Sequence, residues 1–348
     1  MTTFARRAAL TLVLVLATAG CGVRLATPAP TEPSPGPVEQ VRARTVDDAL
    51  ALASTASALS ATGPADPLAT VLTDVTAQST AHAQALGGVY SSGLPASTAG
   101  ATATPTSAPV PTAEELLLSL ATTARTAGAD TDSLTDANLA RLVGSVATAR
   151  TELAIRLAAA LGTAVPTPDP SATDPSGAAS SGAASMSSAS PSTASAATPT
   201  PSPTVPTSAL TALVLAHDQA GYAFEVIAAR RDADQRAGTL AAARTQRAAA
   251  ETWAQTAGVS GTKLDPRRAQ YALPSGLEQA DVAATTAIDL QTAIAQAYGA
   301  AIAAAPAGGR AGLLAGLTTA TAAARDWGGS PVTFPGMADP APTATATP

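Results

Sequence analysis

His82 and His217 are the only imidazoles in a chain of 348 residues, and Cys21 is its single thiol. That inventory rules out a thiolate zinc centre, a three-histidine site and a disulfide scaffold before any spacing is considered. The informative spacing surrounds His217. Leu210, His217 and Phe224 stand seven residues apart, which puts the imidazole on the apolar seam of a helix. Tyr222 and Glu225, three apart, can share a face beside it, and Arg244 or Arg247 can reach it from the next helical stretch. The expected assembly is a polar cluster of His217, Tyr222, Glu225, Arg244 and Arg247, and its expected role is a buried network that fixes helix register. No catalytic residue is assigned. Serines crowd into linkers with no nucleophile turn after a strand, glycines end helices or fill linkers rather than forming a phosphate loop, and Lys263 is the only lysine.

The elements that must position these residues read as helices throughout. In residues 41–162 four amphipathic patterns occur. The first runs from about Val46 to Leu59 and opens on Asp47-Asp48, a charge suited to a helix amino terminus. The second opens with Asp66 as cap and Pro67 as first helical residue, then places Leu68, Leu72, Val75, Ser79, His82 and Leu86 on one stripe. Thr112 and Glu115 form a capping box for the third, and the fourth runs from about Asp136 to Leu161 with Gly162 as its stop. Residues 208–338 repeat the plan. Ser208 is the expected cap of a helix to about Arg231, followed by helices over about Asp234–Ala257, Leu277–Ala305 and Arg310–Trp327. The fold class expected is all-α: two helical bundles joined by a disordered linker rich in Ala, Ser, Thr and Pro.

Composition fits that reading. Hydrophobic residues make up 46% of the chain but aromatics only 3%, so the apolar share is mostly alanine, which favours helix and buries little area per residue. The formal charge of -6 becomes -8 without residues 1–20, which argues against nucleic acid as a partner. Those first residues read as a signal peptide: Arg6-Arg7, then an apolar run from Ala8 to Leu16 too short to span a bilayer. The twin arginines also allow export in the folded state. The run "ATAGC" resembles the bacterial lipobox, which implies lipidation of Cys21, palmitate among its acyl chains, with Thr18 where leucine is commonest. Acyl chains contribute about 0.8 kcal/mol per buried CH₂, enough in combination to hold the chain on a membrane. Residues 21–40 are then a proline-rich tether, 91–111 a disordered loop, 163–207 the linker and 339–348 a disordered tail. The linker, as a coil, spans on the order of 35–40 Å, enough for the two bundles to reach separate partners.

Four segments in order carry a resemblance: "ALTALVLAHDQAGYAFEVIAAR", "LAAARTQRAAAETW", "YALP" and "RDWGGSPVTFPGM". Together, over about residues 208–338, they resemble an actinobacterial family of ferritin-like domains of unknown function, number 4439. The resemblance implies a ferritin-like four-helix bundle and an exported lipoprotein; it implies no reaction. A ferritin-type di-metal centre takes Glu from two helices and Glu-x-x-His from two others. No Glu-x-x-His exists here: Ala254 stands three after Glu251, and Gly329 three after Asp326. The nearest remaining set for iron or manganese is Glu225, Glu251, Asp289 and His217, and the expectation is that no metal is held.

The function expected is a cell-envelope lipoprotein anchored through Cys21 to the extracytoplasmic face of the cytoplasmic membrane. There it acts as a non-catalytic binding or scaffold protein for an envelope protein or small molecule. Two alternatives stand beside it: a degenerate ferritin-like oxidoreductase, and a carrier of a small molecule or lipid in a space between alanine-lined helices.

Overall fold

The computed structural model describes residues 35–89, 111–167 and 205–338. Among them are eight helices and no strand, so the fold is all-α. The signal segment, Cys21, most of the tether, nearly all of 91–111, most of the linker and the tail lie outside the described residues. All eight helices belong to one compact unit, Gly36–Tyr90 with Ala101–Pro348; a second, Met1–Pro35 with Ser91–Gly100, is almost wholly outside them.

Helix α1 (Pro37–Ser60) begins well before Val46, because Pro37 occupies the first turn, where its missing N–H costs nothing. Asp47 and Asp48 therefore lie inside the helix rather than at its start. Helix α2 (Leu68–Ala85) also departs from expectation. The Asp66–Pro67 bond is cis, Pro67 takes the cap position, and Asp66 Oδ1 accepts from Thr70 Oγ1 at 2.8 Å instead of capping the backbone. Helix α3 (Ala113–Ser133) has the full capping box: Thr112 Oγ1 accepts from Glu115 N at 3.2 Å and Glu115 Oε2 from Thr112 N at 2.8 Å. Helix α4 (Ala137–Leu161) is capped by Asp136, which accepts from Leu139 N at 2.9 Å, and stops at Gly162, whose φ of 65° favours glycine.

In the carboxy-terminal half, α5 (Thr207–Ala229) has Pro206 at its cap and no side-chain cap bond, so Ser208 does not play that part. Helices α6 (Ala233–Thr256), α7 (Ala280–Ala304) and α8 (Ala311–Asp326) follow within a few residues of the expected bounds.

Hairpins α1–α2 and α3–α4 pack together over Leu52, Leu72, Val75, Leu116, Leu120 and Leu157. Hairpins α5–α6 and α7–α8 join through α5 against α7, over Phe224, Ile227, Ile294, Ile302 and Leu317. Phe224 stacks on Trp327, ring centres 5.7 Å apart. The two halves are docked on each other: α4 contacts α7 and α8, and α3 contacts α8. This replaces the picture of two bundles free to reach separate partners.

The contact is built from specific polar groups. Arg310, 2% exposed, donates through Nε to the carbonyls of Ile302 and Ala305, each at 3.0 Å. Through Nη1 it donates to the carbonyls of Thr131, at 3.1 Å, and Leu134. One guanidinium thus closes the carboxy-terminal ends of α3 and α7 together, where the helix dipole favours a cation. In return Asp132 Oδ1 accepts from Arg310 N at 2.6 Å and Ala311 N at 3.2 Å, capping α8 from the other half. On α4, Arg141, Ser145, Thr148, Glu152 and Arg156 recur at helical spacing as a polar stripe. Arg141 donates to Gly336 O at 2.8 Å, Thr148 meets Thr318 at 3.4 Å, and Glu152 accepts from Arg325 at 2.6 Å.

Candidate functional site

His217 sits on the buried face of α5, as its heptad position predicts. Its Nδ1 lies 2.6 Å from Gln246 Oε1, which calls for a proton on Nδ1. Nε2 is then the acceptor for Tyr298 OH, 3.0 Å away, and the same phenolic oxygen accepts from Trp253 Nε1 at 3.1 Å. The result is an uncharged relay from Trp253 through Tyr298 and His217 to Gln246. Burial pushes the imidazole pKa down, the Gln246 bond opposing, and pushes the Tyr298 phenol up, the Trp253 bond opposing. Gln246 and Trp253 are seven apart on α6, so one face of that helix supplies both ends of the relay. A Cβ at Gly316 would lie 2.3 Å from the Tyr298 ring, so α8 must present glycine there.

The next residue, Asp218, starts a separate network on the neighbouring side of α5. Its buried carboxylate accepts from Tyr271 OH at 2.6 Å, from Arg268 N at 3.1 Å and from Arg247 Nη1. Arg247 also forks onto Glu225, through Nε at 3.0 Å and Nη2 at 2.9 Å. A Cβ at Gly221 would come within 2.8 Å of Arg247 Cδ, so the arginine lies flat across bare backbone. Burial, with Asp218 second, pushes the Tyr271 phenol up to about 12. Tyr222 contributes its ring, 5.8 Å from that of Tyr271.

The expected cluster is therefore two clusters. His217 is brought to Gln246, Tyr298 and Trp253; Glu225 and Arg247 are brought to Asp218 and Tyr271; Arg244 is exposed and joins neither. The four residues considered for iron or manganese do not converge. Glu225 is taken by Arg247, Glu251 by Arg267, Ser260 and Gln255, and Asp289 faces the seam between the halves. Among the described residues no group of three or more His, Cys, Asp or Glu side chains is placed to hold a metal.

His82 is fully buried in the other half. Its Nε2 donates to Thr333 O at 2.8 Å and its ring meets Phe334 edge-on at 5.3 Å. Burial drives its pKa down to about 4. Two cavities lie between the halves. One, of about 710 Å³, is bounded by α2, α4, α7, α8 and residues 328–337; the other, about 960 Å³, is an alanine-rich groove between α3, α4 and α8.

Residues 209–339 match the model of a family described as "Domain of unknown function (DUF4439)", in agreement with the resemblance over the carboxy-terminal half. No curated protein and no solved structure matches the chain. No described helix is long and apolar enough to cross a membrane.

Proposed function

We propose that the protein is a lipid-anchored, non-catalytic binding protein at the extracytoplasmic face of the cytoplasmic membrane, its carboxy-terminal half a ferritin-like fold turned to structural use. The observation that carries the non-catalytic reading is the state of His217. Both ring nitrogens are engaged, by Gln246 and Tyr298, so the imidazole keeps no lone pair for a metal or a substrate proton. The carboxylates Glu225 and Glu251 are likewise held by Arg247 and Arg267. A pair of transition ions would have to break both ion pairs and the relay.

The test is metal content and visible absorption of the full chain, purified in detergent, after ferrous iron and oxygen or manganous ion are added. Sub-stoichiometric metal is expected. Stoichiometric metal, lost in Glu225→Ala or Glu251→Ala, overturns the proposal in favour of the oxidoreductase. Anchoring is tested separately by incorporation of labelled palmitate, expected to vanish in Cys21→Ala; label that persists removes that residue as the anchor.

A further inference from the structure

Residues 328–337 follow α8 along the seam between the halves, and Ser330, Pro331 and Val332 form part of the wall of the cavity of about 710 Å³. The far end of this segment is pinned. Pro335 and Gly336 are buried, a Cβ at Gly299 of α7 would lie 2.1 Å from Gly336 O, and Arg141 of α4 donates to that oxygen at 2.8 Å. The arc from Ser330 to Phe334 is held differently. Its grip on the other half is His82 of α2, which donates from Nε2 to Thr333 O at 2.8 Å and meets the Phe334 ring edge-on.

That grip suits a neutral imidazole alone. With the proton of Nε2 on Thr333 O, Nδ1 keeps its lone pair, and Nδ1 is solvent-excluded with no partner among the described residues. A second proton there would find no acceptor, and a buried charge left unpaired is costly. The neighbouring elements do not supply a counter-charge. From α4, Arg150 acts on the ring with a positive charge, and Arg141 is bound to Gly336 O. From α1, Asp48 is paired with Arg150 at 3.5 Å, and Arg42 is bound to Glu39 and to the carbonyls of Leu86 and Gly88. On α2 itself Asp74 is held by Arg156, and residues 328–338 contain no titratable side chain. Water at the ring is what an imidazolium needs, and lifting the arc admits it.

We propose that residues 330–334 are an acid-released latch between the halves: protonation of His82 lifts the arc from α2 and opens the cavity at that wall. The latch goes beyond the binding-protein reading and operates whether or not the cavity takes a ligand. With the arc closed, burial holds the His82 pKa at about 4, the Thr333 bond opposing and Arg150 adding to the shift; with the arc lifted and the ring wetted, it returns towards the ordinary 6.5. The closed arc is therefore fully favoured above about pH 6.5. As pH falls to 4 the ratio of lifted to closed arc rises by up to about 300-fold.

The chain carries its own reporters, since its phenylalanines are Phe4, Phe224 and Phe334. Fluorine NMR of the full chain in detergent, labelled with para-fluorophenylalanine and assigned with Phe334→Leu, reads the arc at Phe334 and the carboxy-terminal core at Phe224. Between pH 6.5 and 4 the Phe334 resonance is expected to move to its position in urea while Phe224 keeps its folded shift. His82→Gln, whose amide can still donate to Thr333 O but takes no proton, is expected to hold both resonances to pH 4. Arg141→Gln drops the bond to Gly336 O and loosens the arc's far end. Its release is expected at higher pH, by about one unit for each tenfold loss of closed arc, and it carries the test should His82→Gln not fold. A Phe334 resonance that stays in place to pH 4, moves together with Phe224 or moves equally in His82→Gln overturns the proposal, as does a release pH that Arg141→Gln leaves unchanged.

Discussion

Tyr298 is where three polar side chains of the carboxy-terminal core meet, and its hydroxyl is the only atom that both accepts from Trp253 and serves His217. Tyr298→Phe keeps the ring and strands an indole N–H and an imidazole nitrogen. It should cost about 1–3 kcal/mol in urea unfolding without changing helix content. His82 makes a prediction about acid. Its folded pKa of about 4 lies below the ordinary 6.5, depressed mainly by burial, with the Arg150 charge adding to it while the Thr333 bond opposes. The unfolded chain therefore takes up a proton first as pH falls. The contribution of His82 is intact above about 6.5 and drains away towards pH 4, on the order of 3 kcal/mol in all. His217 is shifted in the same direction, so the measurement is a difference. Urea midpoints of the native chain should fall more steeply between neutral pH and about pH 4.5 than those of His82→Gln. Parallel curves would show that the imidazole titrates in the fold as it does in the unfolded chain, and that burial does not depress it.

At the scale of the helix, the caps separate what local chemistry dictates from what packing decides. Thr112→Ala removes one side of an observed capping box and should lower stability by about 1 kcal/mol, whereas Ser208→Ala, at a position that makes no cap bond, should leave it unchanged. Chemical denaturation of the two variants side by side checks both. The start of α3 and both bounds of α4 are legible because Thr112, Glu115, Asp136 and Gly162 satisfy or release backbone groups within a few residues of themselves. The start of α1 is not, since a proline-rich run masks the one proline, Pro37, that can begin a helix. The same divide runs through the site. The burial of His217 follows from its heptad position alone. Its partners do not, because which residue of α6 or α7 meets it depends on the rotation of helices whose alanine-rich faces look alike in sequence. Arg247 and Arg244 are three apart, and both were reasonable candidates; the bare backbone at Gly221 accepts only the first. Asp218 was missed for a related reason, since an acid beside an apolar seam ordinarily reads as solvent-facing.

For the whole molecule the deciding feature is that the helical halves share end caps. Arg310 donates to carbonyls at the ends of α3 and α7 at once, and Asp132 of one half caps α8 of the other, so neither half has a fully satisfied set of helix ends without its neighbour. Linker composition carries no trace of this. A long segment of small residues separates two helical stretches in sequence whether or not they touch, and the groups that dock them are single residues 178 positions apart. Both tryptophans, Trp253 and Trp327, belong to the carboxy-terminal half, while far-ultraviolet circular dichroism reports all eight helices. If the shared caps couple the halves, urea curves followed by tryptophan fluorescence and by dichroism should coincide, as they do for one cooperative unit. Arg310→Met keeps the apolar stem but abandons four carbonyl partners. Its cost should be at least about 1–3 kcal/mol, that of leaving a buried carbonyl unpaired, and should fall on the coupling itself. In that variant the fluorescence transition should move to lower urea and part from the dichroism curve. Separate transitions already present in the native chain would mean that the contact between the halves is too weak to join their unfolding, and the picture of independent bundles on a tether would return.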